Sequence, residues 1–340
     1  MNHFPESQYK EFLKLSKKIG SNIELVQGAG GNTSIKDDKI LSVKASGKLL
    51  SNSLTEEIFV NIDIKKIKLS ISENIHCDPN DFLIDKSNLR PSIETLIHAI
   101  MPYKYVFHIH CVKSISWIIT KNYKKDLSKL LSGLDWISLP YCKPGAHLAE
   151  TLLNAQREKF YEIVFLENHG LIVSANNIKR IEFLIQEISK RLDRPFKNNN
   201  IKNKEIFSLK RIKNYYKIDD ESINLLALNK SNIFFAGKGS YYPDHVVFLG
   251  PGVQVATNLE EFKVKVSQNK LLAPKPIILS GVGVFIPDNF QDQKIEMIKA
   301  LALVIGRVPE NANLRVLTTE QEKELINWEA EKYRQKININ

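Results

Sequence analysis

The amino-acid sequence predicts a mixed α/β fold with two regions. Amphipathic helical patterns alternate with short apolar segments of strand length along the 340 residues. Hydrophobic residues make up 43% of the chain, which is enough for a buried core, and 25% of the residues are charged. A stretch rich in Asn and Lys at residues 193–204 is typical of a linker. It separates a first region, residues 1–195, from a smaller C-terminal α/β region, residues 205–340.

The elements of the first region follow from hydrophobic periodicity and from turn residues. Phe12, Leu13 and Leu15 recur among charged residues and predict a helix over 6–19. Pro91 is well placed to start a helix over 92–101. Further helices are predicted over 113–120, 124–131, 148–159 and 178–192. Strands are predicted over 23–26, 33–36, 40–45, 58–64, 106–111, 136–139, 162–166 and 171–174.

The C-terminal region carries weaker patterns. Helices are predicted over 294–305 and 320–334, and apolar stretches occupy 242–252 and 277–285. The most polar spot in the first of these stretches is Pro243-Asp244-His245. It could help to cover an active site or stabilise a loop, and we favour the structural interpretation.

Composition and charge exclude several classes of protein. No apolar run reaches the ~18 residues of a transmembrane helix, and we expect no signal peptide at the N-terminus. Three cysteines do not suggest a disulfide framework, so we expect a cytoplasmic protein. The net charge of +10 comes from scattered basic residues. We therefore expect no nucleic-acid or membrane partner, and only a mild attraction to anionic substrates such as sugar phosphates.

Two histidines on one predicted strand form the clearest candidate for a metal site. His108 and His110 are two residues apart on the strand over 106–111, so their side chains lie on the same face. Glu94 lies on the predicted helix upstream, and His169 lies at a predicted tight turn between two strands. A pair of histidines on an apolar strand can equally be core residues. Three imidazoles with a carboxylate, however, are typical of a catalytic zinc site.

Several short motifs extend this pattern along the chain. They are Gly31-Asn32-Thr33-Ser34, Lys44-Ala45-Ser46-Gly47, Glu94 with His98, His108-Ile109-His110, Pro140-Tyr141 with Pro144-Gly145, and Asn168-His169-Gly170. With these motifs in this order, residues 10–195 resemble the class II aldolase/adducin family. The resemblance implies a three-layer α/β/α domain with a mostly antiparallel central sheet.

The C-terminal part resembles the segment that follows the aldolase domain in bifunctional rhamnulose-1-phosphate aldolase/alcohol dehydrogenases. No Gly-x-Gly-x-x-Gly motif opens a helix after a strand in this sequence. We therefore expect no dehydrogenase domain in it.

The resemblance to class II aldolases also implies a role for individual residues. His108, His110 and His169 would bind zinc, although nickel, cobalt or manganese would also fit such a cage. Glu94 would act as the catalytic acid and base. Tyr141 would donate a proton to the leaving aldehyde, with packing beside Pro140 as the alternative.

A phosphate site is implied by the same resemblance. It would be formed by Gly31, Asn32, Ser46, Gly47 and Ser92, since Gly-rich loops and helix N-termini suit phosphate. The chain departs from simple aldolases of the family because a single hydroxyl residue, Ser92, precedes Glu94 and is separated from it by Ile93. A non-phosphorylated acid therefore remains an alternative substrate.

These residues lead to a functional hypothesis with three alternatives. The first is a zinc-dependent aldolase that splits a ketose 1-phosphate into dihydroxyacetone phosphate and an aldehyde. The family also contains epimerases and dehydratases that use the same metal site, and adducin-like scaffold proteins that lack it. Family members are commonly homo-oligomers, with a tetramer favoured here. His98 is interpreted as a packing residue or as one that supports the residues of the site, and His147 as an exposed residue or one that affects substrate choice.

Overall fold

A seven-stranded sheet forms the centre of the first region. The computed structural model describes residues 3–85, 87–197, 208–269 and 275–328. The strands are β1 (Asn32–Lys36), β2 (Ile40–Lys44), β3 (Phe59–Asp63), β4 (Tyr105–Ile109), β5 (Trp136–Leu139), β6 (Ile163–Leu166) and β7 (Gly170–Ala175). Their order is β3-β2-β1-β4-β7-β6-β5. All neighbours are antiparallel except β5 and β6, which are parallel.

Helices cover both faces of this sheet. They are α1 (Glu6–Gly20), α2 (Ile64–Glu73), α3 (Thr95–Ile100), α4 (Val112–Ile118), α5 (Tyr123–Leu130), α6 (Ala146–Ala155) and α7 (Ile178–Arg191). Strand β4 shows why two layers form, because its side chains alternate between two hydrophobic clusters. Phe107 packs in the cluster that contains residues of α1, α4 and α7, whereas Val106 packs in the cluster with residues of α2, α3 and α6. The predicted three-layer α/β class with a mostly antiparallel sheet is confirmed.

The C-terminal region contains a second, five-stranded sheet. Its strands are β8 (Arg211–Ile212), β9 (Tyr215–Lys217), β10 (Gln254–Ala256), β11 (Ile277–Leu279) and β12 (Gly283–Pro287), in the order β10-β11-β12-β9-β8. Its helices are α8 (Glu221–Leu228), α9 (Lys230–Gly237), α10 (Leu259–Asn269), α11 (Asp292–Arg307) and α12 (Thr319–Asn327). A π-helical turn, His245–Leu249, lies between α9 and β10.

The two regions share one hydrophobic cluster. Helix α11 contacts α4 and contributes Leu301, Val304 and Ile305, all buried, to the cluster that also covers one face of the central sheet. The C-terminal region therefore packs directly against the first region. The predicted boundary between 195 and 205 stays a prediction, and residues 198–204 of the predicted linker lie outside the described residues.

Two local predictions were wrong. Residues 23–26 form turns rather than a strand, because the N–H groups of Leu25 and Val26 donate to the Asn22 carbonyl. Helix α3 begins at Thr95 rather than at residue 92, because the Ser92 N–H donates to the Lys44 carbonyl at the end of β2. No helix among the described residues is long and apolar enough to cross a membrane.

Candidate metal centre and its cleft

The pairing of strands brings three histidines together. His108 is in β4, and His110 follows the end of this strand. Strand β7 pairs antiparallel with β4, with Leu171 opposite Ile109, so the turn that precedes β7 lies beside His110. This turn carries His169, and Asn168 before it has a left-handed backbone with φ of 54°. His169 therefore lies in the turn that was predicted, and His108 and His110 lie side by side as predicted.

The three imidazoles face one another at metal-binding distances. Ring centroids are 4.9 Å apart for His108 and His110, 4.9 Å for His108 and His169, and 5.5 Å for His110 and His169. The Nε2 atoms of His108 and His110 are 3.0 Å apart. Two nitrogens bound to one tetrahedral zinc at about 2.0–2.1 Å would be about 3.3–3.4 Å apart. Small side-chain adjustments therefore suffice for a shared ion.

Burial keeps His108 and His169 neutral, which is the form that binds a metal. It lowers the pKa of His108 to about 4 and that of His169 to about 3, although the nearby Glu94 carboxylate partly offsets the effect. At neutral pH both rings therefore present a lone pair without first losing a proton.

Glu94 lies immediately beside this triad. It precedes α3, and its N–H donates to the Ser92 hydroxyl at 3.2 Å. Its carboxylate oxygens are 3.4 Å from the Nε2 atoms of His108 and His169. Burial alone would raise the pKa of Glu94, but the electrostatic effect of these two imidazoles and a hydrogen bond from Asn32 lower it to about 2. Glu94 is therefore ionised at neutral pH.

One oxygen of this carboxylate lacks a hydrogen-bond partner. Within the described parts of the chain, Glu94 Oε1 is buried and accepts no hydrogen bond. A buried, unsatisfied carboxylate oxygen is costly unless a cation or a ligand satisfies it. Together with the three imidazoles, it fits a divalent cation at this position.

A buried hydrogen-bond chain fixes the orientation of Glu94. Asn32 Nδ2 donates to Glu94 Oε2 at 2.8 Å, so the Asn32 amide oxygen faces the Nε2 atom of His98. His98 therefore carries its proton on Nε2, and its Nδ1 atom accepts from the Ser34 hydroxyl at 2.7 Å. Burial lowers the pKa of His98 to about 3, which keeps this tautomer neutral. His98 thus holds Asn32, which in turn holds the carboxylate.

Two glycines allow the loops to approach the imidazoles. A Cβ atom on Gly170 would be 2.7 Å from the Ile109 carbonyl oxygen and 3.1 Å from ring atoms of His108 and His110. A Cβ atom on Gly30 would be 2.7 Å from a carboxylate oxygen of Asp244 and 3.0 Å from His110 Nδ1. Both contacts are too close for a side chain, so these positions need glycine.

Asp244 is a residue of the candidate site that was not predicted from the sequence. Its Oδ2 atom is 2.7 Å from His110 Nδ1, and both side chains are buried. Because Asp244 accepts the Nδ1 proton, the Nε2 lone pair of His110 points toward the other two imidazoles. A carboxylate that orients a metal-binding histidine in this way is common in metalloproteins. The only sequence signal was the polar Pro243-Asp244-His245 step within an apolar stretch, which we interpreted as structural.

The C-terminal region also holds the turn that carries His169. The Asn168 side-chain amide donates to the carbonyls of Tyr241 and Arg315 at 2.9 and 2.8 Å. Arg315 pairs in addition with the buried carboxylate of Glu167. The turn is therefore fixed by main-chain and side-chain groups from both regions.

A narrow cleft leads to the triad. All five residues predicted to bind phosphate line it: Gly31, Asn32, Ser46, Gly47 and Ser92. Glu94, His110, His169 and Asp244 line it as well, while His108 lies behind them, fully buried. The Ser92 N–H bond to Lys44 and the Ser46 N–H bond to Arg90 bring the two hydroxyl-bearing segments together.

Lys44 brings a buried amino group to the cleft. It is 2% exposed, lines the cleft, and donates to the carbonyls of Ala29 and Lys48 at 2.9 and 2.7 Å. These bonds hold the Gly-rich loop against the Ser46–Gly47 turn. Lys44 belongs to the motif Lys44-Ala45-Ser46-Gly47, but no role was predicted for it from the sequence.

Tyr141 does not line this cleft. It is half-buried against the hydrophobic cluster, and burial together with the nearby Glu324 raises the pKa of its hydroxyl. Its role as a proton donor stays a prediction. His147 is exposed on α6.

Sequence comparisons relate most of the first region to known proteins. A sequence model described as the class II aldolase and adducin N-terminal domain matches residues 10–192, more than half of the chain. A curated relative from Bacillus subtilis (strain 168), the uncharacterized oxidoreductase YuxG, is 29% identical over 222 residues. The match covers 59% of this chain and 31% of that protein, so the chain spans about a third of the relative's length.

Two solved structures are also similar. The N-terminal class II aldolase domain of a conserved protein from Thermoplasma acidophilum is 27% identical, with a TM-score of 0.49, and the match covers 56% of this chain and 95% of that one. The L-fuculose-1-phosphate aldolase from Thermus thermophilus is 13% identical, with a TM-score of 0.39, and the match covers 54% of this chain and 90% of that one.

Proposed function

Because the chain belongs to the class II aldolase and adducin family, we propose that it is a metal-dependent aldolase. Its substrate would be a ketose 1-phosphate, and its products dihydroxyacetone phosphate and an aldehyde. The observation that carries this proposal is the convergence of three buried imidazoles on an ionised Glu94 whose Oε1 atom has no hydrogen-bond partner in the described chain.

His108, His110 and His169 would hold the metal, which we propose is zinc. Neutral imidazole nitrogens suit zinc, and three protein ligands leave a position open for substrate. When bound, zinc supplies a Lewis acid that stabilises negative charge on the substrate oxygens. Nickel, cobalt or manganese would fit the same donor set.

The cleft entrance supplies groups for an anionic substrate. Ser46 and Ser92 offer hydroxyls, Gly31 and Gly47 allow close approach of the backbone, and Lys44 contributes a fixed positive charge. Hydroxyls, backbone N–H groups and a cation are the groups that bind phosphate in proteins. A phosphate at this entrance would place the substrate carbonyl toward the histidines.

Glu94 would move the proton. Cleavage of a carbon–carbon bond next to a carbonyl requires removal of a hydroxyl proton and later protonation of the enediolate carbon. Glu94 is ionised, which suits it to accept the first proton, and Asn32 holds its other oxygen at 2.8 Å. A positioned carboxylate of this kind typically contributes about 10²–10⁴-fold to the rate.

We also propose a cytoplasmic homo-oligomer, as a tetramer. Cys77, Cys111 and Cys142 are all free, as expected in a reducing compartment. Tyr141 lies outside the cleft lining of its own chain, so it would serve the cleft of a neighbouring subunit, where its hydroxyl would hydrogen-bond to the oxygen that becomes the aldehyde. The substrate would be a small sugar phosphate.

The same site would also serve an epimerase or a dehydratase, and the test must separate these activities. A scaffold role without chemistry is less consistent with the chain, because it keeps all three histidines and Glu94 in one buried cluster. The oxidoreductase name belongs to the relative, and the chain spans only 31% of that protein.

The decisive experiment is a substrate screen with and without added zinc. Purified protein would be incubated with L-rhamnulose, L-fuculose and pentulose 1-phosphates and with the free sugars, and aldehyde release would be measured. We expect zinc-dependent aldehyde release from a phosphorylated ketose, and loss of turnover in Glu94→Gln with metal content retained. Glu73→Gln, which changes an exposed carboxylate on α2, is the matched control.

Each alternative outcome has a clear meaning. Epimerised or dehydrated sugar without aldehyde would replace the aldolase assignment by one of the other two activities. Full activity of Glu94→Gln would remove Glu94 from the mechanism.

A further inference from the structure

A second group of metal-ligating side chains lies on the protein surface. His76, His147 and Glu150 each offer a ligand atom, and these atoms all lie within 4.8 Å of one another. All three residues are exposed, and none of them lines the cleft. The chain has eight histidines, and five of them lie in this group and in the buried triad. The surface group therefore uses a residue type that is scarce in the chain.

Helix α6 presents two of these ligands on one face. His147 and Glu150 are three residues apart, which places their side chains next to each other on an α-helix. The opposite face of α6 is anchored, because Leu148, Ala149 and Leu152 are buried in the hydrophobic cluster beneath the sheet. The two ligands thus project from a helix with a fixed orientation.

The third ligand comes from the segment that follows α2. The His76 N–H donates to the Asn74 side-chain oxygen at 3.0 Å, and the neighbours Ile75 and Cys77 pack against the same hydrophobic cluster. The rings of His76 and His147 have centroids 5.3 Å apart and are nearly perpendicular, at 75°. This arrangement resembles that of His108 and His110, whose centroids are 4.9 Å apart at 74°.

We propose that His76, His147 and Glu150 form a second metal site, for a divalent transition-metal ion of the zinc, nickel, cobalt or copper class. Two imidazoles and one carboxylate suit these ions, whereas calcium and magnesium prefer oxygen ligands only. Glu150 is exposed, so its carboxylate is accessible to a cation. Water completes the coordination, because the site is open to solvent.

The ion at this site links two segments of the first region. One is the segment after α2, and the other is the start of α6, which follows the cleft residue Pro144. Metal binding therefore restrains the chain next to the cleft without touching the residues inside it. Because the three ligands are exposed, this ion exchanges faster than one held by the buried triad.

The test counts metal ions per chain in untagged protein. The protein is stripped with a chelator, dialysed to equilibrium against micromolar Zn²⁺, and analysed by inductively coupled plasma mass spectrometry. We expect two zinc ions per chain in the wild type and one in His76→Ala or His147→Ala. Glu150→Gln should weaken the second ion without affecting the first. His3→Ala, which removes another exposed histidine, is the control and should retain two.

The location of the second ion is checked by hydrogen exchange of the backbone amides. Zinc should slow exchange in the segment around His76 in the wild type, and this protection should be absent in His147→Ala. His76→Ala and His147→Ala change exposed side chains, so the fold should be unaffected. Metal content that is identical in the wild type, His76→Ala and His147→Ala would overturn the proposal, whatever the occupancy of the buried triad.

Discussion

Replacing Asp244 tests whether the C-terminal region takes part in the metal centre. Asp244 Oδ2 accepts a hydrogen bond from His110 Nδ1 at 2.7 Å, with side chains only 2% and 6% exposed. A hydrogen bond to an ionised partner is about twice as strong as a neutral one, and burial protects it from competition with water. Loss of a carboxylate that orients a metal-binding histidine typically costs about 10–100-fold in metal affinity.

Two substitutions of Asp244 should weaken zinc binding to different extents. In Asp244→Asn the amide oxygen can still accept the Nδ1 proton but carries no charge, so we expect zinc to bind about tenfold more weakly. In Asp244→Ala the Nδ1 proton has no acceptor, and we expect a loss close to 100-fold. These changes correspond to about 1.4 and 2.7 kcal/mol of binding free energy.

The assay is a competition titration of metal-free protein with a chromophoric zinc chelator at neutral pH. Circular dichroism and thermal unfolding of the metal-free variants show whether the fold is intact. Asp219→Asn, which changes an exposed carboxylate of the same region, is the control and should bind zinc as the wild type does. A folded Asp244→Ala variant with wild-type zinc affinity would refute the argument that Asp244 orients His110.

Three further outcomes are expected. Asn32→Ala leaves the buried Nε2–H of His98 without an acceptor. The free energy of unfolding, measured in urea, should therefore fall by about 1–3 kcal/mol. An unchanged free energy of unfolding would contradict the tautomer assigned to His98. In metal-free protein, the pKa values of His98 and His245 are lowered to about 3 by burial, so stability should be complete above about pH 6.5 and fall progressively toward pH 3. The slope should be about 1.4 kcal/mol per pH unit for each histidine, measured by urea unfolding across that window, and a flat profile would contradict their burial as neutral rings. A fragment of residues 1–197 should aggregate or bind a hydrophobic dye, because it exposes the face of α4 that α11 covers. A soluble, monomeric, zinc-binding fragment would instead show that the first region folds on its own.

The parts of the site that were predictable depend on short-range geometry. The alternation of side chains along a strand placed His108 and His110 on one face, and a tight turn placed His169 at a strand end. Both inferences need only a few consecutive residues. Glu94 was linked to these histidines by residue type alone, and its role as acid and base came from the family resemblance. The 13 residues between Glu94 and His108 do not fix the separation of the two side chains.

The parts that were missed depend on long-range contacts. Asp244 is 134 residues from His110, and no periodicity or spacing relates the two. Lys44 had no visible role because its bonds to Ala29 and Lys48 exist only once β2 and the Gly-rich loop are assembled. The wrong start of α3 has a similar cause, since the Ser92 N–H is taken by Lys44 of another element.

These long-range contacts make the candidate site depend on both regions of the chain. The first region supplies all three imidazoles, but Asp244 orients one of them, and the carbonyls of Tyr241 and Arg315 hold the turn that carries another. If docking of the C-terminal region raises metal affinity through these contacts, metal binding must favour docking by the same factor, because such coupling is reciprocal. The candidate metal centre is therefore built from residues of both regions.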